Sequence, residues 1–240
     1  MSGHSHAKTI AHAKGIADAK RGATFSKFGR LITIAAKEGG DPTINSKLRM
    51  VLEQAKSFNM PKENIERAIK RGTGELAGEK LEEVSYEGFG PGGIALIING
   101  ITDNTNRTLG EVKAILNQNG GKITGQGAVA WMFERKGDIT INNEQKSINK
   151  EDFELQAIDA GADDIQWGDN EIYVYTKPED LETVKKNLEE KGLKVASASL
   201  SYVAKEEVEI SEKDKEQAQK LFEALDGSDA VNGIYSNMKG

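Results

Sequence analysis

Apolar residues recur at helical spacing through the first 72 residues of the chain and at strand spacing over much of the remainder. Residues 8–21 and 24–38 read as two helices broken at Gly22, the second carrying Phe25, Phe28, Leu31, Ile32 and Ala35 on one stripe. After a loop at Gly39-Gly40-Asp41-Pro42, Asn45 can cap a third helix with Leu48, Val51, Leu52 and Ala55 inward. Pro61 suits the first turn of a fourth, whose apolar residues are Ile65, Ala68 and Ile69 and whose stop is Gly72. The pattern predicts an α-helical unit with bases along its solvent faces.

Residues 74–80 form a polar linker, and the period then changes. A glycine-rich turn at 86–93 feeds the run 94–98, which is apolar on both faces and too short to span a membrane, hence a covered strand. Thr108 and Glu111 have capping-box spacing ahead of a helix carrying Leu109, Val112, Ile115 and Leu116, closed by Gly120. A strand near Lys122 and another over 128–133 complete β-α-β-β, only half of a small domain. Residues 137–203 repeat the pattern in full. Strand 138–141, helix 151–160 ended by Gly161 and two strands around Gly168-Asp169-Asn170 come first. A helix capped through Thr176-x-x-Glu179 and a strand alternating at Ala196, Ala198, Leu200 and Tyr202 come next, giving β-α-β-β-α-β. Ser211 then starts a helix with Ala218, Leu221, Phe222 and Leu225 on one face, and 231–235 is a weaker strand. The simplest topology returns this last pair to the unfinished sheet; a free C-terminal helix is the alternative. The fold class is therefore α+β. A helical domain over 1–75 precedes a split ferredoxin-like domain over 80–136 plus 204–240, with a second ferredoxin-like domain inserted over 137–203.

The sign of the charge adds to this picture. The chain of 240 residues carries a net charge of -6, yet residues 1–72 hold fourteen bases against six acids, a net +8, which leaves -14 for the rest. A basic module on an acidic body suits a polyanionic partner. Lys8, His12 and Lys14 can lie near one face of the first helix. Lys20, Arg21, Lys27 and Arg30 cluster at and beyond Gly22, and Lys62, Arg67, Lys70 and Arg71 decorate the fourth helix. Such residues neutralise phosphates without reading bases. The plain alternative is an ordinary solvated surface. Aromatics are few, and Phe25 and Phe28 sit on the core stripe, so base stacking is not the expected mode.

Other chemistries find little support. Gly88, Gly90 and Gly93 satisfy G-x-G-x-x-G but precede a strand instead of opening a helix, so no dinucleotide or other cofactor is expected. With no cysteine and only His4, His6 and His12, neither a disulfide nor a metal site is expected. The acidic pairs Glu82-Glu83 and Asp163-Asp164 read as solvated surface, which leaves no catalytic pair and no small-molecule substrate to expect. The start Met-Ser-Gly-His-Ser-His has no signal-peptide pattern, and a cytosolic protein without membrane contact is expected.

Several longer motifs carry a resemblance. Gly3-His4-Ser5 opens a lysine-rich stretch, and Asp18-Ala19-Lys20-Arg21-Gly22 comes after it. Residues 59–75 read NMPKENIERAIKRGTGE, and residues 86–93 read YEGFGPGG. Asp103-Asn104 with Asn106-Arg107-Thr108, and Gly120-Gly121, agree. Together these resemble the YebC/PmpR family over essentially the whole chain. The resemblance implies three domains, the third inserted in the second, and no catalysis. It implies a cytoplasmic transcriptional regulator that binds DNA or, as in related proteins, a ribosome-associated translation factor. The latter would hold ribosomal or transfer RNA and help translation through proline-rich stretches. Three positions, in two places, depart from the family pattern: His6-Ala7 stands where Lys-Trp is usual, and Thr105 where an arginine is often found.

Overall fold

The structure, a computed structural model, describes residues 7–9, 18–143, 148–168 and 170–239. A short strand β1 (Ala7–Thr9) precedes three helices, α1 (Asp18–Ala35), α2 (Ser46–Ser57) and α3 (Lys62–Gly72). These pack as a head around Phe28, Ile32, Leu48, Ala55 and Ala68, all buried. Asn45 caps α2 as its spacing suggests, accepting from the Leu48 N–H at 3.0 Å. The expected helix over 8–21 and its break at Gly22 are not seen: 7–9 is strand, 10–17 lie outside the described residues, and α1 runs through Gly22 unbroken. A glycine inside a helix costs only about 1 kcal/mol. Burial of Phe28, Ile32 and Ala35 on the same helix offsets it.

The body begins with β2 (Glu82–Phe89), β3 (Ala95–Thr102), α4 (Thr105–Gln118) and β4 (Lys122–Ile123). It continues through β5 (Phe133–Asn142), α5 (Lys150–Ala160), β6 (Asp164–Trp167), β7 (Glu171–Thr176), α6 (Leu181–Glu190) and β8 (Val195–Ala204). It ends with α7 (Glu212–Asp226) and β9 (Val231–Ser236). The strands form two antiparallel sheets, ordered β1-β9-β3-β2-β4 and β6-β7-β5-β8. In the second, α5 and α6 cover the face carrying Ile139, Ile141, Ile172 and Val174, the ferredoxin-like arrangement. In the first, α4 and α7 cover Leu96, Ile98 and Ile234, and β9 returns from the end of the chain to pair with β3. Numbered along the chain, the four strands β9-β3-β2-β4 lie in the order 4-2-1-3, against 4-1-3-2 in the second sheet. Their connectivity differs, because β2 and β3 form a hairpin ahead of α4. Among the described residues no helix is long and apolar enough to cross a membrane.

Three local expectations need correction. Residues 86–89 belong to β2, and only 90–93 make the turn, where Gly92 and Gly93 adopt φ of 68° and 78°. The strand expected over 128–133 is a turn ending in the short 3-10 segment Ala130–Met132, because the Glu87 carboxylate captures the N–H groups a sheet would need. The helix caps also differ. Asn104 caps α4, while Thr108 is buried against the Thr102 hydroxyl at 2.9 Å. Thr176 ends β7, and α6 starts after a 3-10 turn at Pro178–Asp180.

Candidate nucleic-acid interface

Helix α3 turns Ile65 and Ala68 into the head, and 3.6-residue periodicity then sends Lys62, Arg67, Lys70 and Arg71 outward, where all four are exposed. Lys62 pairs with Glu66 at 3.5 Å. Among the described residues, no ion pair holds Arg67, Lys70 or Arg71. Lys70 and Arg71 occupy the last turn of α3, where the helix dipole favours positive charge. Between α3 and α1 lies an open cleft of about 530 Å³, lined by Ser26, Arg30, Asn64, Arg67 and Arg71, with Glu79 at its side. Gly22 and Gly29 keep its α1 wall low, since a Cβ at either would meet nothing within 4 Å.

The cations of α1 have other work. Lys27 is only 5% exposed, and its Nζ donates to the Asp226 carbonyl at 2.5 Å and to its carboxylate at 3.0 Å. Arg30 donates Nη1 to the Ile101 carbonyl at 3.0 Å, and Lys37 donates to the Leu81 carbonyl at 2.5 Å. With Ile34 packed on Leu81 and Ile101, these bonds fix the head to the body. Lys27 is therefore withdrawn from the surface on which the sequence placed it, and Arg30 is half-buried at the body end of the cleft. From α2, Arg49 reaches Glu182 at 2.9 Å, Gln54 reaches the Ala198 carbonyl at 2.8 Å, and Glu53 pairs with Lys185. None of these docking partners could be found from sequence, because each joins residues far apart in the chain. His12 and Lys14 lie outside the described residues, as do His4 and His6. Lys8 stands in β1, and Lys20 and Arg21 in the first turn of α1.

Two features of the body escaped the sequence reading. Asp138 on β5 is 5% exposed, its Oδ1 has no hydrogen-bond partner among the described residues, and burial reinforced by the Glu171 charge raises its pKa to about 7. Tyr173 and Tyr175 are paired with Thr140 and Asp138 across β5 and β7, placing them on the same face, and burial pushes both hydroxyls up. A carboxylic acid poised near neutrality is the residue an acid-base site would use, but the cleft between α1 and α3 does not reach it. The second feature is Trp131, 65% exposed at the end of the Glu87-bound turn. Among the described residues no group of three or more His, Asp or Glu could hold a metal ion.

Comparison with known proteins places this arrangement. Residues 5–75 match the family described as the TACO1/YebC protein N-terminal domain, and residues 81–238 match the TACO1/YebC second and third domain. The chain is 45% identical over 239 residues to a probable transcriptional regulatory protein of Halothermothrix orenii, covering 99% of this chain and 94% of that protein. It is 47% identical over 240 residues to another so named in Pseudothermotoga lettingae, covering 100% and 94%. A crystal structure of a conserved hypothetical protein from Aquifex aeolicus superposes with a TM-score of 0.87 at 42% identity, covering 95% of this chain and 94% of that one.

Proposed function

The chain belongs to the TACO1/YebC family, and from that premise we propose that it is a nucleic-acid-binding, non-catalytic regulator of gene expression that grips phosphates through α3. Its relatives are named probable transcriptional regulatory proteins, which favours transcription as the process. The observation carrying the phosphate reading is the exposed trio Arg67, Lys70 and Arg71, which no carboxylate engages among the described residues, two of them, Arg67 and Arg71, lining a cleft that Arg30 also lines. Guanidinium groups suit phosphate because they offer two parallel donors, and a lysine adds a point charge. Contacts of this kind hold a strand in place without identifying its bases. A second reading, a translation factor on ribosomal or transfer RNA, uses the same trio.

The test is binding of the full chain to duplex DNA and to a structured RNA across a salt series. About four phosphate contacts on duplex DNA give a log-log salt slope of roughly -4. Replacing Arg67, Lys70 and Arg71 together with alanine should flatten that slope by about 2 to 3 and weaken binding on every sequence alike. Unchanged affinity and slope in the triple variant would remove α3 from the interface. Co-sedimentation with ribosomes, with no DNA binding at matched salt, would select the translational reading.

A further inference from the structure

We propose that Trp131 is a stacking platform for one unpaired base of the bound nucleic acid, so the partner is single-stranded or looped where it meets the body. This rests on the nucleic-acid reading of α3 and goes beyond it by naming the form of the strand. The indole is displayed by a turn built to hold still. The carboxylate of Glu87, itself buried, accepts the N–H groups of Gly127, Val129 and Ala130 at 2.6, 2.7 and 2.9 Å. The Val129 side chain is fully buried among Ala95, Ile97, Phe133 and Tyr235, which anchors the turn to the first sheet. Trp131 donates Nε1 to the Ala128 carbonyl at 3.1 Å, which orients the ring and satisfies its one donor. What remains is a flat apolar surface, 65% exposed, on a backbone already ordered before any partner arrives.

The surroundings select the occupant. Lys122 lies 5.9 Å from the centre of the Phe89 ring, and Phe89 packs in the same cluster as Val129 and Met132. Lys205 is brought alongside by its N–H bond to the Met132 carbonyl at 2.9 Å, and its side chain is exposed. Glu134, the acid just beyond the turn, faces Lys136 at 3.5 Å. An exposed flat ring, with Lys205 on the segment hydrogen-bonded to its neighbour Met132, suits a base and an adjoining phosphate, and an indole whose donor is satisfied accepts any base through its π-face. In a duplex the bases are stacked on each other and offer it no face.

The chain holds two tryptophans, Trp131 and Trp167, so Trp167→Phe leaves Trp131 as the single emitter. In that background a single-stranded RNA of about 12 nucleotides, within the span such sites cover, should quench the emission at saturation, whereas the same sequence annealed as a duplex should not. Trp131→Ala should weaken single-strand binding about tenfold or more and leave duplex binding alone, with Trp131→Phe retaining most of the affinity. Bound single strand without quenching, or Trp131→Ala binding it as tightly as the parent, would overturn the proposal. So would a loss of binding to a protein partner in Trp131→Ala with strand binding intact. If instead the parent binds no nucleic acid, the reading of α3 fails first. A strand lost by the α3 triple variant but kept by Trp131→Ala sinks only the stacking platform.

Discussion

Two buried carboxylates, one in each sheet, are treated in opposite ways. Burial alone would push Glu87 up, but three N–H bonds outweigh it and hold the carboxyl below its ordinary 4.5. Its contribution to stability is present above that value and fades as the pH falls through the lower folded pKa. Asp138 Oδ1 finds no donor among the described residues, and burial with the Glu171 charge nearby raises the group to about 7. The folded chain thus retains a proton that the unfolded chain releases near pH 4, and stability declines as pH rises from about 4 to 7. Asp138→Asn removes that proton exchange. Thermal unfolding at about pH 5 and pH 8 should show the variant gaining on the parent at the higher pH by several degrees, of the order expected for a few kcal/mol in total. Parallel melting curves at the two pH values would mean that Asp138 ionises normally. Neither carboxylate was legible in the sequence. Glu87 works through residues some forty positions away, and Asp138 sits inside an alternating strand pattern like any solvent-facing acid.

At the level of elements, helices α2, α3 and α7 were legible because an apolar stripe coincides in each with a start signal, Asn45, Pro61 or Ser211. The elements misread were those whose form is set from outside. The turn at 124–132 lost its strand hydrogen bonds to Glu87. β2 was hidden because its last residues, Gly88 and Phe89, run directly into a glycine-rich turn. Gly22 was misread for a related reason, since the role of a glycine depends on what stands opposite, whereas Gly72 ends α3 as its sequence suggested. A Cβ on Gly72 would meet the Thr33 carbonyl at 2.4 Å and the Ala36 Cβ at 2.6 Å, so the glycine is what lets α3 lie against α1. Gly22 has open space instead. Gly72→Ala should therefore destabilise by about 1–3 kcal/mol through overpacking. Gly22→Ala should stabilise by up to about 1 kcal/mol by favouring the helix over the unfolded chain. Denaturant midpoints for the two variants decide this: a stabilising Gly72→Ala would contradict the close packing of α3 on α1, and a destabilising Gly22→Ala the open space at Gly22.

For the whole molecule, the charge asymmetry was readable but its use was only half so. The +8 of residues 1–72 suggested one cationic surface, yet Lys27, Arg30, Lys37 and Arg49 turn toward carbonyls and carboxylates of the body or of the adjoining linker end, and among the described residues Arg67, Lys70 and Arg71 on α3 are left without an ion pair. The head is held by directed polar bonds together with a small apolar cluster at Ile34, Leu81 and Ile101 and with Met50 of α2 packed against the core of the second sheet. Lys27 shows how sensitive that docking should be. Its ammonium is buried while Asp226 is half exposed, so the two partners differ in what their loss leaves behind. Asp226→Ala keeps a buried charge with only a backbone carbonyl to meet it, whereas Lys27→Met fills the same space with apolar atoms and leaves Asp226 to water. The aspartate variant should accordingly loosen the head more, seen as faster hydrogen exchange over residues 27–37 and faster tryptic cleavage after Lys80. Greater loosening in Lys27→Met than in Asp226→Ala would mean that the lysine holds the head by attraction rather than by the penalty of leaving it unmatched.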